Sequence, residues 1–206
     1  MIDKDRIKEV ESNIPKYLED KLITKKEENK LLVDFYTKTA KMSLRVAEIL
    51  FDLSRNIKTK EKLSIEQEFE CYLWVTVSSY YSMFYIANAA LAKKGIKIGD
   101  KIVHKVASDC LVFYFIKTGK LANHFYEEYE KSMSNALEII GLDEEELRKR
   151  LQQKAIDLIQ TFDFEKTKRG DFQYKTTVPI KESLANTSLE RAKLFVYEME
   201  KVIEKG

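Results

Sequence analysis

Apolar residues recur every three or four positions along most of this 206-residue chain, which is the spacing of one face of an α-helix. The pattern is clear over residues 31–53, 74–91 and 184–202, and we find no clear strand. Six glycines and two prolines leave few places where a helix must break. We therefore predict an all-α, up-and-down helical bundle.

Capping and stop signals predict where the helices begin and end. Residues 24–27 and 64–67 have the form of capping boxes, in which a Ser or Thr and a Glu or Gln satisfy backbone amides at a helix start. Pro15 should break the first 23 residues into short helices, residues 57–63 should form a Lys-rich link, and Pro179 should lie in the first turn of the last helix. Further predicted boundaries are helix ends at Gly95, Gly119 and Gly141, and helix starts at Gly99-Asp100 and Asp143.

Composition narrows the possible functions only slightly. Charged residues make up 34% of the chain but the net charge is only +2, so any contact with nucleic acid must come from a local patch. Cys71 and Cys110 lack metal-ligand spacing and are expected to be buried, reduced thiols. The charged N-terminus and the lack of a long apolar run predict no signal peptide, no membrane span and a cytoplasmic location.

Several short elements follow one another in a recognisable order. They are the Tyr-Tyr-x-Met-Phe helix at residues 80–91, Lys94-Gly95-Ile96, His104, Lys117-Thr118-Gly119-Lys120-Leu121, an Arg-x4-Tyr element at Arg169–Tyr174, and Ala192–Phe195. In this order they resemble the HEPN domain family, in particular its branch of small prokaryotic helical proteins. The resemblance covers about residues 36–206, and it comes from the order of the elements rather than from any single one.

Two regions of the chain depart from the short members of that family. More residues separate Leu121 from Arg169, which predicts an inserted helix pair at about residues 123–160. Residues 1–23 have the character of an added N-terminal helical extension. The expected organisation is therefore an extension over residues 1–23 and a HEPN-like bundle over residues 24–206.

The resemblance implies an activity, a dimer and a partner. Many HEPN proteins are metal-independent ribonucleases in which two motifs of an Arg, a polar residue and a His meet across a homodimer. Arg169 fits the Arg of that motif, but Gly170 takes the polar position and Tyr174 stands where the His belongs. The family also implies a possible toxin role, with a nucleotidyltransferase as the antitoxin partner.

The basic segment around Arg169 is the candidate nucleic-acid site. The Arg169 guanidinium offers a planar set of donors for phosphate, and Phe172 and Tyr174 could stack on unpaired bases. Tyr174 is a poor general base unless its pKa is shifted. The alternative is that Arg169 pairs with Asp171 or a helix carboxylate and that Tyr174 packs between helices. The other predicted binding residues are Lys166, Lys168 and Lys175.

Supporting residues are expected on the neighbouring helices. His104 could supply the missing imidazole, although a single His near a helix start is more often structural. The Tyr81 hydroxyl could find a partner in Arg169 or Asp171, and Asn88 on the apolar face of the aromatic helix could mark an interhelical hydrogen bond or the floor of the site. The aromatic positions as a group are expected to form core or a dimer seam: Trp74, Tyr80, Tyr81, Phe84 and Tyr85. Since HxxxH and Glu-x-x-His patterns are absent, we expect no metal and no cofactor.

Three hypotheses follow from the sequence. The first is an RNA-directed HEPN protein, either a divergent metal-independent endoribonuclease or a toxin, with two Arg169 loops at a dimer cleft. The second is a non-catalytic HEPN module that binds a nucleotide, RNA or a protein partner through the same cleft. The third is a helical assembly subunit without a ligand.

Overall fold

Helices account for most of the chain, as the sequence predicted. The computed structural model describes residues 4–140 and 178–205, with residues 178–180 described by their backbone alone. The elements in chain order are α1 (Lys4–Glu19), β1 (Ile23–Lys25), α2 (Lys30–Arg55), α3 (Ile57–Lys62), α4 (Tyr72–Lys93), β2 (Ile96–Ile98), α5 (Val103–Leu111), a π-helical turn (Val112–Ile116), α6 (Asn123–Ile140) and α7 (Val178–Glu204). The all-α bundle is thus confirmed, with one small sheet added.

The central element of the bundle is α4, whose residues are apolar on nearly every side and mostly buried. A helix that is apolar all round belongs in the interior, and α4 packs against α2, α5, α6 and α7. Its small residues at Ala87, Ala89 and Ala90 are completely or almost completely buried. The predicted aromatic helix at residues 80–91 therefore forms the middle of the core.

Both the predicted extension and the described part of the predicted insertion contribute to that core. Val10 and Ile14 of α1 and Phe125 and Tyr129 of α6 belong to the same buried cluster as α4. Helix α1 packs against α5, while α6 packs against α4 and α7. The assignment of these segments as additions to a family fold stays a prediction, but both are integral to the packing of this chain.

A short antiparallel sheet replaces the first predicted capping box. Thr24 lies in β1 opposite Lys97 of β2, and helix α2 begins six residues later, where the Asn29 side chain accepts a hydrogen bond from the Leu32 amide at 3.2 Å. Gly95 makes the pairing possible: its φ is +73°, and a Cβ there would lie 1.8 Å from the Lys26 carbonyl oxygen. The long-range pairing thus overrides the local capping pattern.

The second predicted capping box, at residues 64–67, is also wrong. Helix α4 begins only at Tyr72, because contacts across the loop hold the preceding backbone: the Cys71 amide donates to Ser54 Oγ at 2.9 Å and Lys60 Nζ donates to the Gln67 carbonyl at 2.6 Å. The predicted link at 57–63 is instead mostly the short helix α3.

The other predicted boundaries had mixed outcomes. Pro15 lies inside α1 without ending it, because buried Ile14 and Tyr17 on either side are packed on the core. Helix α5 starts at Val103 rather than at Gly99-Asp100, after Ile102 with a φ of 43°.

Helix ends near Gly95 and Gly119 are confirmed. Position 179 is in the first turn of α7, as predicted. The boundaries predicted at Gly141 and Asp143 fall outside the described residues.

Membrane insertion was not expected from the sequence. Within residues 4–140 and 178–205, the structure has no helix with the length and apolar character needed to cross a bilayer.

Candidate functional site

Most of the predicted site belongs to the basic segment before α7. Seven of its residues lie outside the part of the chain that the structure describes: Lys166, Lys168, Arg169, Asp171, Phe172, Tyr174 and Lys175. The three predicted residues that are described are Tyr81 and Asn88 on α4 and His104 on α5. They establish where the supporting residues are, while the role of the basic segment stays a prediction.

His104 is buried at the first turn of α5, with 6% of its surface exposed. A hydrogen bond of 2.5 Å joins its Nδ1 to the hydroxyl of Tyr80, which is itself fully buried. Since a tyrosine hydroxyl both donates and accepts, this bond suits either tautomer in which the imidazole is neutral. The His104 side chain therefore links α5 to α4 through a hydrogen bond.

Aromatic rings surround the His104 imidazole. The ring centroid of Phe84 lies 4.9 Å from that of His104, and the Tyr81 centroid lies 6.0 Å away. Tyr81, Phe84 and Tyr85 are partly buried and pack against the main core. This is the environment of a packed core residue, in which apolar rings limit the access of water and of a charged substrate.

Asn88 bonds to its own helix. Its side-chain nitrogen donates to the Phe84 carbonyl at 2.8 Å, which satisfies a buried polar group without a partner on another helix. Among the described residues this bond is local rather than interhelical, and a place for Asn88 at the floor of the site stays a prediction. Trp74 is exposed at the start of α4 and is not part of the core, so for this residue the dimer seam stays the prediction.

A second buried polar cluster surrounds Asp109, which the sequence analysis did not single out. Asp109 is fully buried, and α1 supplies its donors: Arg6 Nη2 at 2.6 Å to Oδ1, Asn13 Nδ2 at 2.9 Å to Oδ2, and the Tyr17 hydroxyl at 2.8 Å to Oδ2. One signal was available: Asp109 lies within the apolar run Val106–Val112, and a carboxylate at a buried helical position requires partners.

The electrostatics of this cluster favour the charged Arg6 side chain. Burial opposes the guanidinium charge, but the hydrogen bond to Tyr126 and the charge of Asp109 outweigh burial and raise the pKa of Arg6. Burial also raises the pKa of the Tyr17 hydroxyl, and its hydrogen bond to Asp109 acts in the same direction. Both groups therefore keep their protons at neutral pH and remain donors to Asp109.

Glu130 extends the cluster toward α6. Its carboxylate accepts a hydrogen bond from Ser108 Oγ, and the Tyr126 hydroxyl accepts from Arg6 Nε at 3.2 Å. Burial raises the pKa of Glu130, while the Ser108 hydrogen bond partly opposes that shift. The polar cluster thus connects α1, α5 and α6.

A groove lies beside the small sheet, with a volume of about 900 Å³. Its lining includes Lys21, Lys26, Lys30 and Lys97, together with the acidic residues Glu27 and Glu28. The groove carries mixed charge, and Glu28 already forms an ion pair with Lys93 at 2.9 Å. These side chains form an open, polar surface without the features of a closed catalytic pocket.

Both cysteines are buried, free thiols, as expected. Burial raises the pKa of the Cys110 thiol, and nearby Asp109 raises it further. Burial also raises the pKa of Cys71. Neither thiol therefore has the lowered pKa of a nucleophile. Across the described ranges, no group of three or more His, Cys, Asp or Glu side chains is placed to hold a metal ion.

No family model, curated protein or solved structure matches this chain. The helical fold class therefore rests on the structure, and the HEPN assignment rests on the order of the sequence elements alone.

Proposed function

We propose that this chain is a HEPN-type RNA-associated protein that binds RNA through the basic segment at residues 166–175 and does not cleave it. The HEPN assignment comes from the sequence elements, and the helical architecture is compatible with it. The choice between binding and cleavage rests on a single structural observation, which is the position of His104.

His104 is poorly placed to act as the missing general base. A general base must come within hydrogen-bonding distance of the proton that it abstracts, which for RNA cleavage belongs to a 2′-hydroxyl. The His104 imidazole is instead buried between α4 and α5 and bonded to Tyr80. With Tyr174 at the position of the motif histidine, the basic segment itself supplies an Arg for phosphate but no imidazole.

The composition of residues 166–175 supports RNA as the ligand. Four of the ten residues are Lys or Arg and two are aromatic, which is the combination that contacts phosphates and stacks on unpaired bases. The net charge of the chain is only +2, so a contact with RNA must come from a local patch, and this segment combines such a patch with aromatic residues.

RNA binding is tested with a fluorescent single-stranded RNA titrated by fluorescence anisotropy at several salt concentrations. The matched variants are Arg169→Ala in the segment and Lys8→Ala on the exposed face of α1, each of which removes one positive charge. We expect Arg169→Ala to weaken binding about tenfold and to lower the salt slope by about 0.7, the value for one phosphate contact on a single strand. Lys8→Ala should behave like the wild type.

Equal RNA affinity of the wild type and a folded Arg169→Ala variant would overturn the site assignment. A wild-type protein that binds no RNA would overturn the proposed function and would favour the alternatives, a module for a nucleotide or protein partner or an assembly subunit. Cleavage of the RNA would favour the remaining alternative, a metal-independent endoribonuclease or toxin.

A further inference from the structure

Two lysines converge on Phe115, at the end of the bundle where α4 stops. Lys94 is the residue directly after α4, and its Nζ lies 5.4 Å from the centroid of the Phe115 ring. Lys120 is joined to the same residue, because its backbone amide donates to the Phe115 carbonyl at 2.8 Å. Phe115 is only 1% exposed, so both lysines are attached to a fixed part of the core.

The turn that carries Lys120 follows an uncommon stretch of backbone. Residues Val112–Ile116 form a π-helical turn, in which the Lys117 amide donates to the Val112 carbonyl at 2.9 Å. Gly119 then has a φ of +68°, and a Cβ there would meet no atom within 4 Å. Single π-helical turns are rare and occur frequently at functional sites, and this one leads into an open turn that presents a lysine.

The ammonium groups of Lys94 and Lys120 lie close together without a carboxylate between them. Burial and a direct interaction with the Lys120 side chain lower the pKa of Lys94, which is the effect of two like charges on each other. Lys117 on the same turn is paired with Glu11 at 2.5 Å. Within residues 4–140 and 178–205, Lys94 and Lys120 form no such ion pair, so the charge of this lysine pair is not balanced.

We propose that Lys94 and Lys120 form a binding site for a dianionic phosphate group, that of inorganic phosphate or of a phosphate monoester. Such a group carries close to two negative charges at neutral pH, because its second pKa is about 6. It therefore matches the two positive charges of the lysine pair, and its oxygens accept a charge-assisted hydrogen bond from each ammonium group. A phosphodiester carries a single negative charge and balances only half of the pair.

The phosphate site is distant from the start of α7. Lys181 in the first turn of α7 pairs with Glu70 just before α4 at 2.9 Å, so α7 starts beside the N-terminal end of α4. Lys94 follows the opposite end of α4, which has 22 residues and is therefore about 33 Å long. The phosphate proposal does not depend on RNA binding, and its tests use no RNA.

Phosphate binding is tested by titrating the ¹⁵N-labelled full chain with inorganic phosphate at constant ionic strength and following the backbone amide shifts by NMR. Two charge-assisted hydrogen bonds correspond to a dissociation constant in the millimolar range, with the largest shifts near residues 94 and 120. Lys94→Gln and Lys120→Gln should each raise that constant at least tenfold. The matched control is Lys117→Gln, which removes a charge already paired with Glu11 and should leave the constant nearly unchanged.

Two phosphate esters test the charge of the ligand and its source. Methyl phosphate is a monoester and a dianion, whereas dimethyl phosphate is a diester with one charge. Methyl phosphate should bind at least tenfold more tightly than dimethyl phosphate. Tighter binding of methyl phosphate than of inorganic phosphate would assign the site to a phosphorylated molecule, and the reverse order would assign it to free phosphate.

A charge reversal tests the geometry without any ligand. Lys120→Glu places a carboxylate beside the Lys94 ammonium group, so the variant should unfold about 1–3 °C above the wild type, the shift expected of a surface ion pair in a chain of this size. This variant should also give no phosphate-dependent shifts. Lys117→Glu is the matched control, and it should unfold below the wild type because it replaces the ion pair with Glu11 by two like charges.

Three outcomes would overturn the inference. They are wild-type amide shifts near residues 94 and 120 that inorganic phosphate leaves unchanged, a folded Lys94→Gln variant that binds phosphate as the wild type does, and dimethyl phosphate that binds as tightly as methyl phosphate. None of these results bears on whether residues 166–175 bind RNA, so the two proposals fail separately.

Discussion

His104 and Asp109 lie five residues apart on α5 and both are buried polar residues, yet they do different work. His104 bonds to Tyr80 within a cluster of aromatic rings and connects α5 to α4. Asp109 is a carboxylate that accepts hydrogen bonds from Arg6, Asn13 and Tyr17 and connects α5 to α1. The usual reactivity of a residue type therefore does not indicate whether His104 or Asp109 contributes more to the stability of the fold.

The His104 imidazole and the Asp109 carboxylate differ in the hydrogen-bonding partners that each needs when it is buried. A neutral imidazole needs few partners and tolerates apolar neighbours, whereas a buried carboxylate needs charge and several donors to offset its desolvation. The two sites should consequently differ in how strongly the fold depends on them, and three substitutions test this from the largest effect to the smallest.

Asp109→Ala should have the largest effect on stability. Removing the carboxylate leaves the partly buried Arg6 without its buried counter-ion, with only the more exposed Glu9 nearby, and the Tyr17 hydroxyl without its acceptor, so we expect the free energy of unfolding to fall by about 3–5 kcal/mol. The measurement is urea unfolding followed by circular dichroism.

Two matched variants sharpen this prediction. Asp109→Asn keeps the size and one acceptor and should cost about 1–3 kcal/mol, while Asp20→Ala removes an exposed carboxylate and should change stability by about 0.5 kcal/mol or less. If Asp109→Ala were no worse than Asp20→Ala, the cluster would not hold α1 to the bundle.

Tyr80→Phe should have an intermediate effect. The substitution keeps the ring and removes the hydroxyl that lies 2.5 Å from His104 Nδ1, so a buried nitrogen loses a partner at a cost of about 1–3 kcal/mol. The same denaturation measurement applies, with Tyr85→Phe in the neighbouring aromatic cluster as the control. Equal unfolding free energies for the two variants would contradict a structural role for the Tyr80–His104 bond.

Glu130→Gln should have the smallest effect and should depend on pH. Burial raises the native pKa of Glu130 above its ordinary value of 4.5, so the native state binds this proton more tightly than the unfolded state does. The contribution of the group to stability is therefore full below the unfolded pKa and is lost as the pH rises through the native pKa.

The expected result is that Glu130→Gln gains stability relative to the wild type as the pH is raised from acid to neutral. Thermal unfolding at a series of pH values measures this difference, with the exposed Glu138→Gln as the control. A difference that stays constant with pH, or that moves in favour of the wild type, would contradict the raised pKa.

The sequence predicted the features of the fold that depend on local patterns. Helical periodicity predicted the bundle, the apolar run from Tyr80 to Leu91 predicted buried α4, and Gly119 and Pro179 predicted a helix end and a helix start. The buried polar cluster around Asp109 was harder to predict from the sequence, because Asp109 and Arg6 are 103 residues apart and no local pattern joins them.

The incorrect boundaries share a physical cause, which is long-range contact overriding a local signal. Thr24 has the sequence of a cap but pairs in a sheet that depends on the backbone of Gly95 and Lys26. Ser64 has the same kind of sequence but lies in a loop that contacts of Ser54 and Lys60 hold in place. Capping strengths of about 1 kcal/mol are easily outweighed by such contacts.

The central claim is that the buried His104 is structural and that this chain binds RNA without cleaving it. The most direct measurement is incubation of the purified protein with tRNA and total RNA in EDTA, beside Arg169→Ala and His104→Gln variants whose folding has been checked by circular dichroism. We predict that every sample returns intact RNA. Cleavage by the wild type that survives EDTA and disappears in a folded His104→Gln variant would contradict the account.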